Sequence, residues 1–176
     1  MKVPFLTFVA LFIYTFANAQ IKLEKRTYLE GRLEMLIPTD FKQMSAEMIG
    51  VKYPNRTQQP QAVLSDEDGT VNIIVNYLPQ SIQPSQIAEF KEFQLNFFKK
   101  NRPDAQWLAD GVKQINGKTF GFLKFTIDAV DQKVYNYMVF SELNGKILML
   151  SFNCTEKLLP KWQATAEEIM ASIALK

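Results

Sequence analysis

Histidine is absent from the 176-residue chain, and cysteine occurs once, as Cys154. The first absence removes the commonest general base, the Ser-His-Asp and Cys-His nucleophile systems, and most zinc or copper sites. The second removes any intrachain disulfide, so the fold must be held by a hydrophobic core. Charge of one sign is also lacking: 20 basic residues face 18 acidic ones, and without Lys2 the balance is 19 to 18. Nucleic-acid binders carry a clustered basic footprint, which such mixed near-neutrality argues against. Lys99, Lys100 and Arg102 form a small cluster, read as solvated charge at a helix end, where cations suit the dipole.

The N-terminus has one early lysine, an apolar run through Phe16 and Ala17-Asn18-Ala19. These are the parts of a secretory signal, expected over residues 1–19 and cleaved after Ala19. The run falls short of the roughly 20 residues of a membrane-spanning helix, so no span is expected after cleavage. An uncleaved N-terminal anchor is the alternative. No cysteine flanks the cut, which excludes a bacterial lipoprotein. Export to the periplasm or beyond follows, with Gln20 as the mature N-terminus and residues 20–176 as one domain.

Hairpins are expected around Glu30-Gly31, Asp66 to Gly69, Asn116-Gly117 and Asn144-Gly145. Asn-Gly is a strong hairpin signal because both central residues need φ > 0. Ser45 is a plausible cap for a short helix over Ala46 to Ile49. Pro84 opens a longer helix to about Asn101, with Ile87, Phe90, Phe97 and Phe98 as its apolar stripe and Phe93 beside it. A last helix from Leu159 aligns Trp162, Ala166, Ile169, Met170 and Ile173.

Strands are expected at 105–115, 118–130, 133–143 and 146–154. Two-residue turns pair Phe125 with Met138, Leu123 with Phe140 and Phe140 with Met149, and so sort side chains by face. One face holds Leu123, Phe125, Ile127, Met138, Phe140, Ile147 and Met149. The other holds Phe120, Phe122, Tyr137, Val139, Leu148, Leu150, Phe152 and Cys154, with Trp107 joining them. Two apolar faces need cover on both sides. The expected fold is an α/β (α+β) chain, a three-layer α/β/α sandwich on a central, mostly antiparallel sheet.

Leu33-Glu34-Met35-Leu36-Ile37-Pro38 followed by Phe41 resembles the opening of the PsbP-like superfamily. These are extrinsic photosystem proteins whose fold is shared with a Ran-binding nuclear import factor and many bacterial exported proteins. The similarity continues through Asp68-Gly69, the helix after Pro84, the Asn116-Gly117-Lys118 turn, the strand from Lys146 to Phe152 and the C-terminal helix. It implies a fold and, for many members, accessory or binding roles without catalysis. No functional motif of a member is present, so no family site carries over.

Asp66-Glu67-Asp68-Gly69 lacks the spread of ligands a calcium loop needs and reads as an acidic turn. Asn55-Arg56-Thr57 and Asn153-Cys154-Thr155 match the glycosylation pattern, the second inside a packed strand. Cys154 reads as a small buried hydrophobe, with an intermolecular disulfide as the alternative. No cofactor or metal is expected. The expected function is an exported non-enzymatic accessory or binding protein of the bacterial envelope, acting on a protein partner or a small ligand. A ligand carrier with a cleft between sheet and helix is the first alternative, and a carboxylate-dependent hydrolase the second. A candidate binding patch is Lys124, Thr126, Asp128, Tyr135 and Tyr137, with Thr126 opposite Tyr137 and Asp128 opposite Tyr135 near an Asp131-Gln132 turn. Tyr offers contact area with a hydrogen-bonding tip, and a lysine on an apolar face needs water or a partner.

Overall fold

The computed structural model describes residues 21–55, 59–129 and 132–176. The signal segment, Arg56-Thr57 of the first glycosylation pattern and Asp131 of the expected turn lie outside the described residues.

Strands β1 (Leu23–Tyr28) and β2 (Leu33–Pro38) form the first hairpin, and β10 (Ala174–Leu175) pairs with the free side of β2. The main sheet has seven antiparallel strands in the order β3-β4-β5-β9-β8-β7-β6. They are β3 (Lys42–Gln43), β4 (Ala62–Ser65), β5 (Val71–Ser81), β6 (Gln106–Ile115), β7 (Lys118–Asp128), β8 (Lys133–Leu143) and β9 (Lys146–Thr155). Helix α1 (Ala46–Lys52) begins at Ser45, whose Oγ accepts from the Met48 N–H at 3.2 Å; α2 spans Ile87–Asn101 and α3 Leu159–Ala171. Asn116-Gly117 and Asn144-Gly145 have φ of 47° and 77°, and 51° and 77°, as such turns require.

Both faces of the sheet are covered. On one, α2 packs Leu95 against Leu123, Phe125 and Phe140, while α1 sets Ile49 on Val63 and Ile74. On the other, Trp162, Ala166, Ile169 and Met170 of α3 join Leu33, Met35 and Ile37 of β2 over Phe120, Val139, Leu150, Phe152 and Cys154. That outer layer is therefore a helix plus a small sheet. Its edge strand β10 is too short to carry a sequence pattern.

Three expectations are corrected. The β7–β8 connection is longer than two residues: Asp128 pairs with Lys133, so Leu123 faces Met138, Phe125 faces Asn136 and Gly121 faces Phe140. A shift of two residues leaves every side chain on its face, and the partition survives. Trp107 belongs to the α2 side, because an irregularity between Trp107 and Ala109 puts it opposite Phe125, with ring centroids 5.0 Å apart. A bulge moves a residue to the other face without any mark in its periodicity. On α2, Phe93 and Phe97 are 61% and 52% exposed, whereas Lys91 is buried and its Nζ meets Asp110 at 2.7 Å. The helix turns its Ile87–Lys91–Leu95 line to the sheet. A buried cation was admitted there because a carboxylate on β6 answers it.

Candidate functional site

Tyr137 and Tyr135 stand on β8, and the register sets Lys124 opposite Tyr137 and Thr126 opposite Tyr135. Tyr137, Tyr135 and Thr126 are 0%, 3% and 4% exposed. Asp128 pairs with Lys133 at the far end of β7, its N–H donating to Asp104 Oδ2 at 2.9 Å and its C=O accepting from Arg102 at 2.8 Å. The five residues of the expected patch therefore line no common depression. The two-residue shift explains the altered pairs, and α3 closes over the phenols.

Lys124 is the residue that connects them to the surface. Its ammonium lies 4.3 Å from the Tyr137 ring centroid and is ion-paired with Glu167 of α3. Lys113, on the neighbouring strand β6, donates to the Tyr137 hydroxyl and lies 5.4 Å from the Phe122 centroid. Phe122 is half-buried and meets Tyr137 edge-on, with centroids 6.4 Å apart. Its ring leans over Gly111 of β6, where an added Cβ would come within 3.0 Å of it. Lys113, Phe122, Lys124, Tyr137 and Glu167 thus form one cluster at the margin between α3 and strands β6 to β8.

Two ammonium groups share a single carboxylate here. Burial pushes the Lys113 amine below its ordinary range, and the Lys124 charge adds to the effect, against Glu167. Burial, then Glu167, pushes both phenols well above theirs, so they stay neutral donors. The cluster can receive an anionic group and offers ring faces beside it. Sequence reasoning placed Phe122 on this face but missed Lys113 and Glu167. The Asn116-Gly117 turn could have located Lys113 opposite Phe120, and Glu167 flanks the Ala166–Met170 stripe.

Three grooves open to the surface elsewhere. One of about 240 Å³ runs between Ile82, Ile147 and the α2 side chains Phe90 and Phe93. Another of about 330 Å³ lies between α1 and the β4–β5 turn, and one of about 390 Å³ lies between Leu23, Leu36 and Glu168. Among the described residues, no three His, Cys, Asp or Glu side chains converge as a metal site would require, and no helix is long and apolar enough to cross a membrane.

Residues 30–172 match the DcrB family, and the chain belongs to it. Among curated proteins, none matches the sequence. The fold is similar to that of cyanobacterial PsbP (CyanoP) from Synechocystis, with a TM-score of 0.62, 11% identity, and 92% of this chain and 97% of that one covered. It is also similar to LpqN, described as involved in cell envelope biogenesis of Mycobacterium tuberculosis, with a TM-score of 0.56, 16% identity, and 93% and 98% covered. PA94 of Pseudomonas aeruginosa, of unknown function, gives 0.53, 13%, 88% and 97%. The PsbP-like fold expected from the sequence is thereby established.

Proposed function

We propose that this member of the DcrB family is an exported, non-enzymatic binding protein of the bacterial envelope, and that it holds an extended acidic segment of a partner protein along strand β6. The observation that carries this reading is Lys113, a half-buried cation that forms no ion pair among the described residues, on a strand that forms the open edge of the seven-stranded sheet. An edge strand offers unpaired N–H and C=O groups to a second extended chain. Leu108 and Val112 of β6 are 55% and 44% exposed, giving such a chain apolar contacts. A carboxylate beside Lys113 would balance the two ammonium groups that now share Glu167. The described carboxyls that are shifted, Glu34 and Asp104, are held low by neighbouring cations, which suits structural ion pairs rather than acid catalysis. The involvement of LpqN in cell envelope biogenesis agrees with an envelope location.

The test uses an N-acetylated Glu-Phe-Glu peptide and its Gln-Phe-Gln counterpart, with the lysines followed by NMR after reductive 13C-methylation. The acidic peptide should raise the Lys113 pKa and shift the β6 amides, and the neutral one should not. Export is tested by intact mass of the protein recovered from the envelope, which should begin at Gln20. Unmoved Lys113 signals, or a full-length cytoplasmic protein, would refute the reading.

A further inference from the structure

The groove of about 240 Å³ beside α2 has an apolar floor and a wall that is both aromatic and acidic. Ile82 and Ile147, each 5% exposed, form the floor and pack with Leu78, Ile87 and Phe90. The register of β5 on β9 shifts between Leu78 and Ser81, and the Ile82 N–H then donates to the Gly145 carbonyl at 3.0 Å. Such an irregularity bends a strand out of its ladder, and the groove lies where this one does so. Along the wall, Glu89 and Phe93 stand one helical turn apart on one side of α2. The Phe93 ring is within 22° of parallel to that of Phe90, with centroids 6.3 Å apart, and Phe93 is 61% exposed. An exposed phenylalanine by itself needs no explanation. Here it shares an open groove with a carboxylate.

The charges beside the groove are of one sign. Glu89 is exposed, forms no ion pair among the described residues, and is the one charged residue lining the groove. Glu142 pairs with Ile147 across the sheet and adds a second negative charge nearby, its carboxylate accepting from the Gly145 N–H. The neighbouring cations turn elsewhere. Lys146 pairs with Ser81, but its ammonium lies 5.9 Å from the Tyr77 ring centroid, on the opposite face of the sheet. Lys91 is buried on the β6 side of α2, between Glu92 and Asp110. Polar groups on the wall are few: Ser81, and Gln86, whose Oε1 already accepts from the Gln83 N–H at 2.9 Å.

We propose that this groove binds the quaternary ammonium group of a small solute of choline's size, the cation lying against the Phe93 ring and the Glu89 carboxylate and its methyl groups on Ile82 and Ile147. Aromatic faces attract such cations through the ring quadrupole. A primary ammonium would give up water hydrogen bonds that Ser81 and Gln86 replace poorly, whereas a quaternary nitrogen has none to lose. An anion would meet Glu89 with no cation to answer it. The volume lies below the range of pockets for drug-sized ligands and suits a headgroup. The inference is independent of the reading along β6, because no residue of the groove belongs to that strand.

The test titrates choline, its neutral tert-butyl isostere and ethanolamine into the protein, followed at the Ile82, Phe93 and Ile147 amides by NMR, with phosphatidylcholine vesicles as a separate sedimentation arm. Choline should shift these amides saturably, and the isostere and ethanolamine should each bind about tenfold more weakly. Phe93→Leu should weaken choline about fivefold or more at an unchanged melting temperature, since the ring is mostly exposed, and Phe93→Trp should bind at least as tightly as wild type. Glu89→Gln should weaken choline by a similar factor. The proposal is overturned if choline gives no saturable shift, if the neutral isostere binds as well, or if Phe93→Leu keeps full affinity. Sedimentation with the vesicles while free choline shifts nothing would likewise overturn it, in favour of a membrane surface.

Discussion

Gly121 of β7 sits opposite Phe140 of β8, and the Phe140 ring lies directly across it. A Cβ at position 121 would come within 2.2 Å of Phe140 Cε2 and 2.9 Å of Cδ2 and Cζ. To restore ordinary contact at 3.4 Å the ring must withdraw by about 1.2 Å. It has little room, being fully buried and packed edge-on against Phe90 at 5.3 Å, with Leu95, Leu123 and Phe125 around it. Overpacking of a core costs about 1–3 kcal/mol, and losing the edge-on ring contact about 1 kcal/mol more. The entropy that alanine removes from the unfolded chain offsets about 0.5 kcal/mol. Gly121→Ala should therefore destabilise by about 2–3 kcal/mol. With a urea m-value of about 2 kcal/mol/M, the midpoint falls by about 1 M or slightly more. Phe140→Leu opens the space, so the double variant should be more stable than the sum of the single losses by about 1 kcal/mol or more. A Gly121→Ala midpoint within error of wild type, or strict additivity, would refute this packing of α2 on the sheet.

Truncating each face in turn tests the two-sided cover: Phe125→Ala and Phe152→Ala, at residues 2% and 0% exposed, should each cost about 3–5 kcal/mol in the same assay, and a neutral result uncovers that face. Burial pushes the Cys154 thiol up to about 12, so it should resist Ellman's reagent at neutral pH and react only as the protein unfolds; complete labelling of the native protein within minutes would contradict the burial. Asp104 is held well below the usual carboxylate range by Arg102, at 2.9 and 2.6 Å, and by the Asp128 N–H. Because the folded value is depressed, its contribution is present above the unfolded value of about 3.9 and is lost as pH falls below it. Asp104→Asn should thus melt lower than wild type at neutral pH and approach it in acid, and a gap that persists at low pH would exclude the ion pair as its cause.

The turns made most of the sheet legible. Asn116-Gly117 and Asn144-Gly145 place two registers without ambiguity, and Phe140 indeed pairs with Met149. Asp131-Gln132 carries no such constraint on φ, and the register there was misplaced by two residues. That error moved no side chain between faces, yet it separated the candidate patch into wrong pairs, because a site depends on neighbours as well as faces. The α3 stripe was readable since all its apolar positions point one way. On α2 two strong apolar residues, Phe93 and Phe97, lie outside the buried line, and Lys91 lies within it. Periodicity cannot anticipate Lys91, whose burial depends on Asp110 from a separate strand. The lysine cluster was half visible for the same reason: Lys124 was conspicuous on its strand, but Glu167 meets it only through the packing of α3.

The widths of the layers account for where polar side chains were admitted. Seven strands at about 4.8 Å spacing make a sheet about 29 Å across, whereas two helices cover about 20 Å. Helix α1 sits over β4 and β5, and α2 lies over β6 to β8, so the shortfall falls near the middle of that face. There a row runs across four adjacent strands, Ser65, Asn72, Asn153 and Asn136, each paired with the next. Ser151 and Asn76 continue the polar strip on β9 and β5. The opposite face carries α3 and a three-stranded sheet, enough to span most of the strands, and its interior positions are mostly apolar. Charge enters that face at the β6–β7 margin, through Lys113 and Lys124. The proposed site along β6 thus lies where the covering layer runs out, at the open edge.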